Sequence, residues 1–422
     1  MPTTSRFEQY LNTIKTGNFV KLSRLEFLQP NGTIAFSLDN NEKNARSSAF
    51  IQDGSLSVNL QNGTRRTANV LLSNLGGTFD YNVNNIWFGT RVRLRMGALL
   101  PDGTPYLLPQ GTFYIKDPEE VFMPSQRTIT LNLVDKWAML DASLGGALEG
   151  IYEVPVGTNI FAAIDGLLHD SQGNGIPYDD VPAIYTSYYN GKTQTLPDGS
   201  TASLIESPYT ARFDSFGQSR ADVILELNDM LAGWIGYDST GALRLDPSQD
   251  DILDTTKPIL WTFKPTEKQF LGATYTIKNS DVKNDVIRVG QALDDSSYAQ
   301  IGARAQNFDP ASDTNINIIG SKIDRQEKAG YYTNDICASL AEFELKRNTI
   351  LKKSVSIQTS QMFHLVENNL VSIQRLDKKG APHERHLING FTIPIGQTGE
   401  MTINATSVTD FPIATVTYLS DL

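Results

Sequence analysis

The sequence predicts a mainly β protein in which two β-barrel or sandwich domains, residues 1–148 and 263–422, flank a mixed, acidic α+β insert, residues 149–262. Three observations carry this prediction. Apolar residues alternate with period two through most of the first and last thirds, and take helical spacing chiefly between them. Turn signals such as Pro-Asn-Gly and Pro-Asp-Gly punctuate the alternating runs. Charge also changes along the chain: 14 Lys+Arg stand against 12 Asp+Glu in residues 1–148, 5 against 17 in 149–262, and 17 against 18 in 263–422. The formal charge of -11 is thus the middle third's acidity, and such a composition shift marks domain boundaries.

A chain of 422 residues is too long for one hydrophobic core, and roughly three domains are expected from length. With 40% hydrophobic and 20% charged residues it lies far from the composition of disordered chains. Cys337 is the only cysteine, so stability must come from packing or assembly, as suits a product of a reducing cytoplasm. The N-terminal residues hold no signal-peptide core, and no apolar run reaches the roughly 18 residues of a membrane span. A soluble chain without its own Sec signal is expected. No segment is basic enough to clamp nucleic acid by neutralising phosphates.

Phe7, Leu11 and Ile14 stand at helical spacing, which predicts a short amphipathic helix over residues 5–15 that ends before Gly17. The period then becomes two: Phe19–Leu28 and Thr33–Leu38, joined by the turn Pro30–Gly32, read as a hairpin. Further strands are expected at Ser55–Gln61, Thr67–Leu72, Arg91–Leu99, Tyr106–Lys116 and Arg127–Val134, with Pro101–Gly103 as a hairpin loop. In Arg91–Leu99 the arginines 91, 93 and 95 share one face, which predicts that this face is solvated or meets a partner. Seven or so strands in this span imply a sandwich or barrel.

In the insert, helices are expected at Asn159–Leu168 and Ser219–Leu231, the second with Val223, Ile224, Leu227, Met230 and Leu231 on one face. A hairpin follows, Trp234–Tyr237 and Ala242–Leu245 around the turn Asp238–Gly241. The Gly/Pro/Tyr-rich stretch Gly173–Ser207 reads as a long hairpin or an exposed loop. The last third returns to strands at Phe270–Lys278, Asp285–Gln291, Asn315–Gly320, Lys352–Thr359, Leu370–Arg375, His386–Ile393 and Gly399–Val408, with one helix at about Asn334–Asn348.

Few segments could carry chemistry. Gly217–Ala221 (GQSRA) is close to the nucleophile elbow G-x-S-x-G, but its fifth residue is Ala221. The four histidines, His169, His364, His383 and His386, stand in no arrangement that picks out a general base. Ser219 and Asp222 fit a helix capping box instead. Asp170–Gly175 (DSQGNG) resembles the front of a calcium loop, yet Val181 stands where a bidentate Glu is needed. His383 and His386 could share a metal on a helix, but a strand is expected there, which sends the rings to opposite faces and reads as surface. Cys337 falls on the apolar side of a helix, as a small hydrophobe. Glu119 with Glu120, and Asp250 with Asp251, read as solvated pairs. No phosphate loop or dinucleotide fingerprint is present. The expected catalytic, cofactor and metal residues are therefore none.

Three stretches resemble a known family. RRTANVLL, FDYN and IWFGTRVRLRMG, followed by GTFYIKDPEE and RTITLNLVDKWAML, look like the opening tail-tube-like β domain of phage tail hub proteins, which closes with a strand, an Asp and a short helix; here these are Leu131, Leu133, Asp135, Trp137 and Leu140. SRADVILELNDMLAGWIGYDSTGALRLDP is similar to the helix and hairpin of the inserted domain, and YTNDICASLAEFELKR with VSIQTSQMFHLVENNLVSIQRLDKKG to the late helix and strands. The resemblance implies a non-enzymatic homotrimer. Its two tube-like domains per chain would make a pseudo-hexameric ring, adapting a sixfold tail tube to a threefold tip around a DNA channel. It implies as partners the distal tail or tail tube protein, the tape measure protein, and tip spike or receptor-binding proteins. It further implies a place in the virion tail tip after synthesis in the host bacterial cytoplasm, with no specific nucleic-acid binding and no membrane segment. Part of the insert's acidity would face the channel, where it would not hold DNA, or simply face solvent.

Two other classes compete. A receptor- or carbohydrate-binding adhesin could stack sugars on aromatic loops such as Tyr185–Tyr189 (YTSYY). A wall hydrolase would need a catalytic domain that no motif here supplies.

Overall fold

The computed structural model describes residues 5–41, 49–74, 86–87, 89–124, 126–169, 181–214, 217–247, 257–277, 282–290, 301–328, 330–350, 354–374, 384–396, 398–408 and 411–421. Helix α1 (Arg6–Lys15) opens them, held by a reciprocal cap between Ser5 and Glu8. Seven strands follow: β1 (Lys21–Leu28), β2 (Ile34–Asp39), β3 (Ala49–Asn59), β4 (Arg66–Asn74), β5 (Arg91–Leu99), β6 (Pro105–Met123) and β7 (Gln126–Asp135). The middle third carries β8 (Tyr152–Val154), α2 (Ile160–Leu168), β9 (Ile184–Tyr185), β10 (Thr193–Thr195), β11 (Thr201–Ser203), β12 (Ala211–Phe213), α3 (Arg220–Met230), β13 (Gly233–Tyr237) and β14 (Leu243–Pro247). After these come β15 (Ile259–Phe263), β16 (Phe270–Thr276), β17 (Asp285–Gly290), β18 (Gly302–Asn307), α4 (Ile316–Ile319), β19 (Ile323–Lys328) and α5 (Asn334–Ile350). The last strands are β20 (Ser354–Thr359), β21 (Leu370–Ile373), β22 (Glu384–Pro394), β23 (Met401–Ser407) and β24 (Ala414–Tyr418). The protein is mainly β, as the sequence predicts.

Three local readings change. Asn315–Gly320 is a helical turn rather than a strand: the Asn315 side chain accepts the Asn317 N–H, and Gly320 ends the turn at φ 77°. The arginine face of β5 is only partly solvated: Arg93 and Arg95 stay half-exposed but lie 3.6 Å and 3.0 Å from Glu26 on the neighbouring β1, while Arg91 is buried and donates to Pro30 O. The described part of the Gly173–Ser207 stretch holds a short hairpin, β10–β11, and β9, which pairs parallel to β14.

The largest sheet runs β16-β20-β23-β22-β3-β4-β7-β6-β5-β1-β2, with β21 and β15 added beside β22. Strand β22 serves two neighbours along one edge. Glu384–Leu387 pairs with β21 and Gly390–Pro394 with β3, and a register shift between Ile388 and Gly390 separates the two pairings. The first and last thirds therefore share a hydrogen-bonded sheet and a core, in which Leu25, Val58 and Leu131 cluster with Phe263, Ile357 and Ile403. Helix α1 is fastened to the far end of the chain: Tyr10 stacks on Tyr106 and its hydroxyl accepts the Phe363 N–H at 3.0 Å. The middle third has a core of its own around α2, α3, β13 and β14. A four-stranded sheet, β19-β17-β18-β24, is covered by α5.

Two buried polar contacts hold these parts together. Arg66, at the start of β4, pairs with Glu367 more than 300 residues away; both side chains are buried, and Arg66 also donates to Gln110 O at 3.0 Å. Asp135 ends β7, and its carboxylate accepts backbone N–H groups from Arg65 (2.8 Å), Arg66 (2.9 Å) and Trp137 (3.1 Å). That last bond starts a 3-10 turn, Lys136–Met139, which delivers Trp137 and Leu140 into the insert's core.

Breaking the Arg66 pair strands a buried carboxylate, whereas replacing both partners with apolar residues does not. Arg66→Met is therefore expected to lower unfolding free energy by about 3–5 kcal/mol, and adding Glu367→Leu to recover most of the loss. Denaturant titration of the two variants checks this, and a double variant as weak as the single one contradicts it. Burial pushes the Asp135 carboxyl up to about 6, against the pull of the three N–H donors. An unfolded Asp titrates near 3.9, so this group's contribution is fully present below about pH 4 and is lost as pH rises through 6. Between pH 4 and 7 the wild type should lose about 2 kcal/mol that Asp135→Asn does not lose. A pH-independent stability difference between the two proteins contradicts the assignment.

Candidate assembly and binding surfaces

The serine of the GQSRA segment caps a helix. Ser219 Oγ accepts the Asp222 N–H at 3.3 Å, and Asp222 Oδ2 accepts the Ser219 N–H at 2.7 Å, so the predicted capping box opens α3. Cys337 is buried on α5, where desolvation pushes its thiol up to about 12. His386 lies on a strand as expected, but it is not a surface residue. Its segment of β22 is flanked by β21 and β23, which buries the ring beside Tyr275 and lowers its pKa by desolvation. His383, Asp170–Gly175, Asp250 and Asp251 lie outside the described residues. His169 is exposed beyond the end of α2, and His364 packs edge-on against Tyr10 and Trp261. Glu120 pairs with Arg127 at 2.6 Å on the long β6–β7 hairpin, whose tip exposes Phe122 and Met123. Among the described residues, no group of three or more His, Cys, Asp or Glu side chains is placed to hold a metal, and no helix is long and apolar enough to cross a membrane.

Several of the insert's described carboxylates are engaged within the chain. Asp165 accepts the Tyr185 hydroxyl at 2.6 Å and Glu226 the Tyr209 hydroxyl at 2.5 Å. Asp229 pairs with Lys328 at 2.6 Å, tying α3 to β19, and Asp246 with Arg244 at 2.5 Å. Asp198 and Asp238 close turns. Glu149, Glu153 and Asp214 are exposed. The tyrosines of YTSYY are likewise engaged: Tyr185 stacks on Phe161 with ring centroids 4.5 Å apart, Tyr189 is buried, and the Lys192 ammonium sits over the Tyr188 ring. A sugar platform at this loop would need these contacts undone.

The outermost strands of the large sheet are β16 and β2, and each exposes an apolar side chain, Leu271 and Ile34. Two cavities lie at seams. One of about 380 Å³ separates the β10–β11 hairpin from α5, with Lys192, Gln194 and Asp335 in its wall. The other, of about 440 Å³, lies where the β3–β4 loop, the β13–β14 hairpin and the loop carrying Glu367 converge. Arg65, Asp246, Lys257 and Glu367 line it, with Leu60 and Val366 as apolar walls. No motif spacing singles out Arg65 and Arg66 in the sequence. The available signal was Arg66 sharing the inward register of Ala68, Val70 and Leu72, where an unpaired charge is untenable.

The sequence matches no protein-family model and no curated protein. Among solved structures, the 43 kDa tail protein of prophage MuSo2 from Shewanella oneidensis is similar with a TM-score of 0.55 at 12% identity, covering 91% of this chain and 98% of its own. The tail protein from Neisseria meningitidis MC58 gives 0.59 at 9% identity, covering 92% and 97%. At such identities the likeness is one of fold. The resemblance to tail proteins that three stretches of sequence suggest thus extends along nearly the whole chain, which has the fold of these two tail proteins.

Proposed function

We propose that this chain is a structural, non-enzymatic hub subunit of a phage or phage-like tail tip. In this reading three copies assemble, with residues 1–148 and 263–422 of each as two tube-like domains. The resulting ring joins a sixfold tube to a threefold tip and forms part of the DNA channel. The observation that carries it is the tail-protein fold, matched over more than nine-tenths of this chain and of both relatives. Two features of the molecule suit it. Strands β16 and β2 end the main run of the sheet and each pairs with a single strand among the described residues, which leaves an edge that is a template for pairing between copies. The net charge of -11 keeps a channel wall from gripping DNA.

Residues 149–262 then form a domain docked on the ring. The partners are the distal tail or tube protein, the tape measure protein and the tip spike or receptor-binding proteins, all met in the virion after synthesis in the host cytoplasm. The adhesin reading has less support, because the aromatic loop that would hold sugar is packed internally.

Light scattering on the purified protein, alone and with its neighbouring tail proteins, tests the proposal. A mass three times 46.6 kDa is expected for the protein alone, or else a monomer that forms a complex holding three copies only on mixing. A persistent monomer that ignores tail proteins and binds bacterial surface glycans contradicts it, and clearing of a cell-wall zymogram by pure protein contradicts the non-enzymatic part.

A further inference from the structure

We propose that the cleft at the three-way junction binds a carboxylate carried on an acidic peptide side chain, with Arg65 as the residue that holds it. The inference is independent of the tail reading. Arg65 is buried, yet its guanidinium makes one hydrogen bond among the described residues, from Nε to Gln61 O at 2.8 Å, and pairs with no carboxylate there.

Three acids lie near enough to be felt, and each is committed elsewhere. Glu367 is held by Arg66, Asp246 by Arg244, and Asp135 by three backbone N–H groups. The terminal nitrogens of Arg65 have no protein acceptor among the described residues and are not sealed from the cleft, and a planar carboxylate is the group that matches their fork. The backbone makes room for the arrangement: a Cβ at Gly236 on β13 would stand 2.4 Å from Arg65 Nε, so this strand accepts Arg65 across its face only because it has glycine there.

The cleft's volume falls in the range of small-ligand sites, roughly 300–1,000 Å³, enough for an acidic side chain and its flanking backbone. Arg66, Arg244 and Lys257 add further cations to the wall, and Leu60 and Val366 give apolar contact for the peptide stem. Asp238, Asp246 and Glu367 offset three of the four cations in the wall, and the single positive charge that remains suits one carboxylate better than a multiply charged phosphate chain.

The test titrates the full chain with acetyl-Gly-Glu-Gly-amide, acetyl-Gly-Gln-Gly-amide and inorganic phosphate at constant ionic strength, read by calorimetry and thermal unfolding. The Glu peptide is expected to bind and raise the melting temperature, with the Gln peptide and phosphate weaker by about tenfold or more. Arg65→Gln, and Gly236→Ala, which crowds the guanidinium from behind, should each abolish the preference. Equal binding of the Glu and Gln peptides, equal binding of phosphate, or no binding by the Glu peptide at millimolar concentration overturns the proposal from wild-type data alone, even where neither variant folds.

Discussion

The pairing of β3 with β22 is the constraint on which the rest of the structure depends. Five register pairs, from Asn59 with Gly390 to Ser55 with Pro394, join segments more than 300 residues apart in sequence. Gly390 makes the approach possible, since a Cβ there would lie 2.3 Å from Val58 O. The register shift just before it lets one strand serve β21 with its first half and β3 with its second. With that seam closed, the apolar faces of strands from both ends of the chain bury against one another in one core. Contacts this distant in sequence slow folding, because loop closure is paid before they form.

The seam is reinforced by polar groups where a purely apolar junction would leave orientation open. Arg66 and Glu367 bridge the same two thirds of the chain, and Asp135 gathers three backbone donors at the point where the chain leaves the sheet for the insert. Lys136, fully buried, lies over the Tyr237 ring at 5.0 Å and continues the attachment to β13. The insert is therefore held on the sheet by the same residues that hold the sheet together, and the cleft at their meeting point follows from that geometry.

Much of this was legible in the sequence wherever one face of an element is buried. Alternation located β1 to β7 because their inward positions are Leu, Val and Ile, and Ser219 with Asp222 declared the start of α3 because the cap is a local motif. What failed was non-local. Strand β19, Ile-Asp-Arg-Gln-Glu-Lys, is exposed along most of its length at a sheet edge, so it has no alternation to find. The arginines of β5 look solvent-facing until Glu26 arrives from β1, and His386 looks superficial until β21 and β23 enclose it. Asn315–Gly320 is apolar enough for a strand, and only the Asn315 cap makes it helical. The cleft was invisible because Arg65, Asp246 and Glu367 come from three separated segments, and its one local sign was the adjacent pair Arg65–Arg66 heading a buried strand.

The central claim, that the two ends of the chain build one sheet, is tested most directly by a cross-strand disulfide between positions 57 and 392. Ser57 and Thr392 are register partners, and the one native cysteine is buried on α5 and does not compete. In a Ser57→Cys, Thr392→Cys variant, mild oxidation of the folded protein should form the bond quantitatively, because paired residues on adjacent antiparallel strands lie within the Cα span a disulfide bridges, about 4.4–6.8 Å. Two thiols that stay free in the folded, oxidised protein would contradict the account.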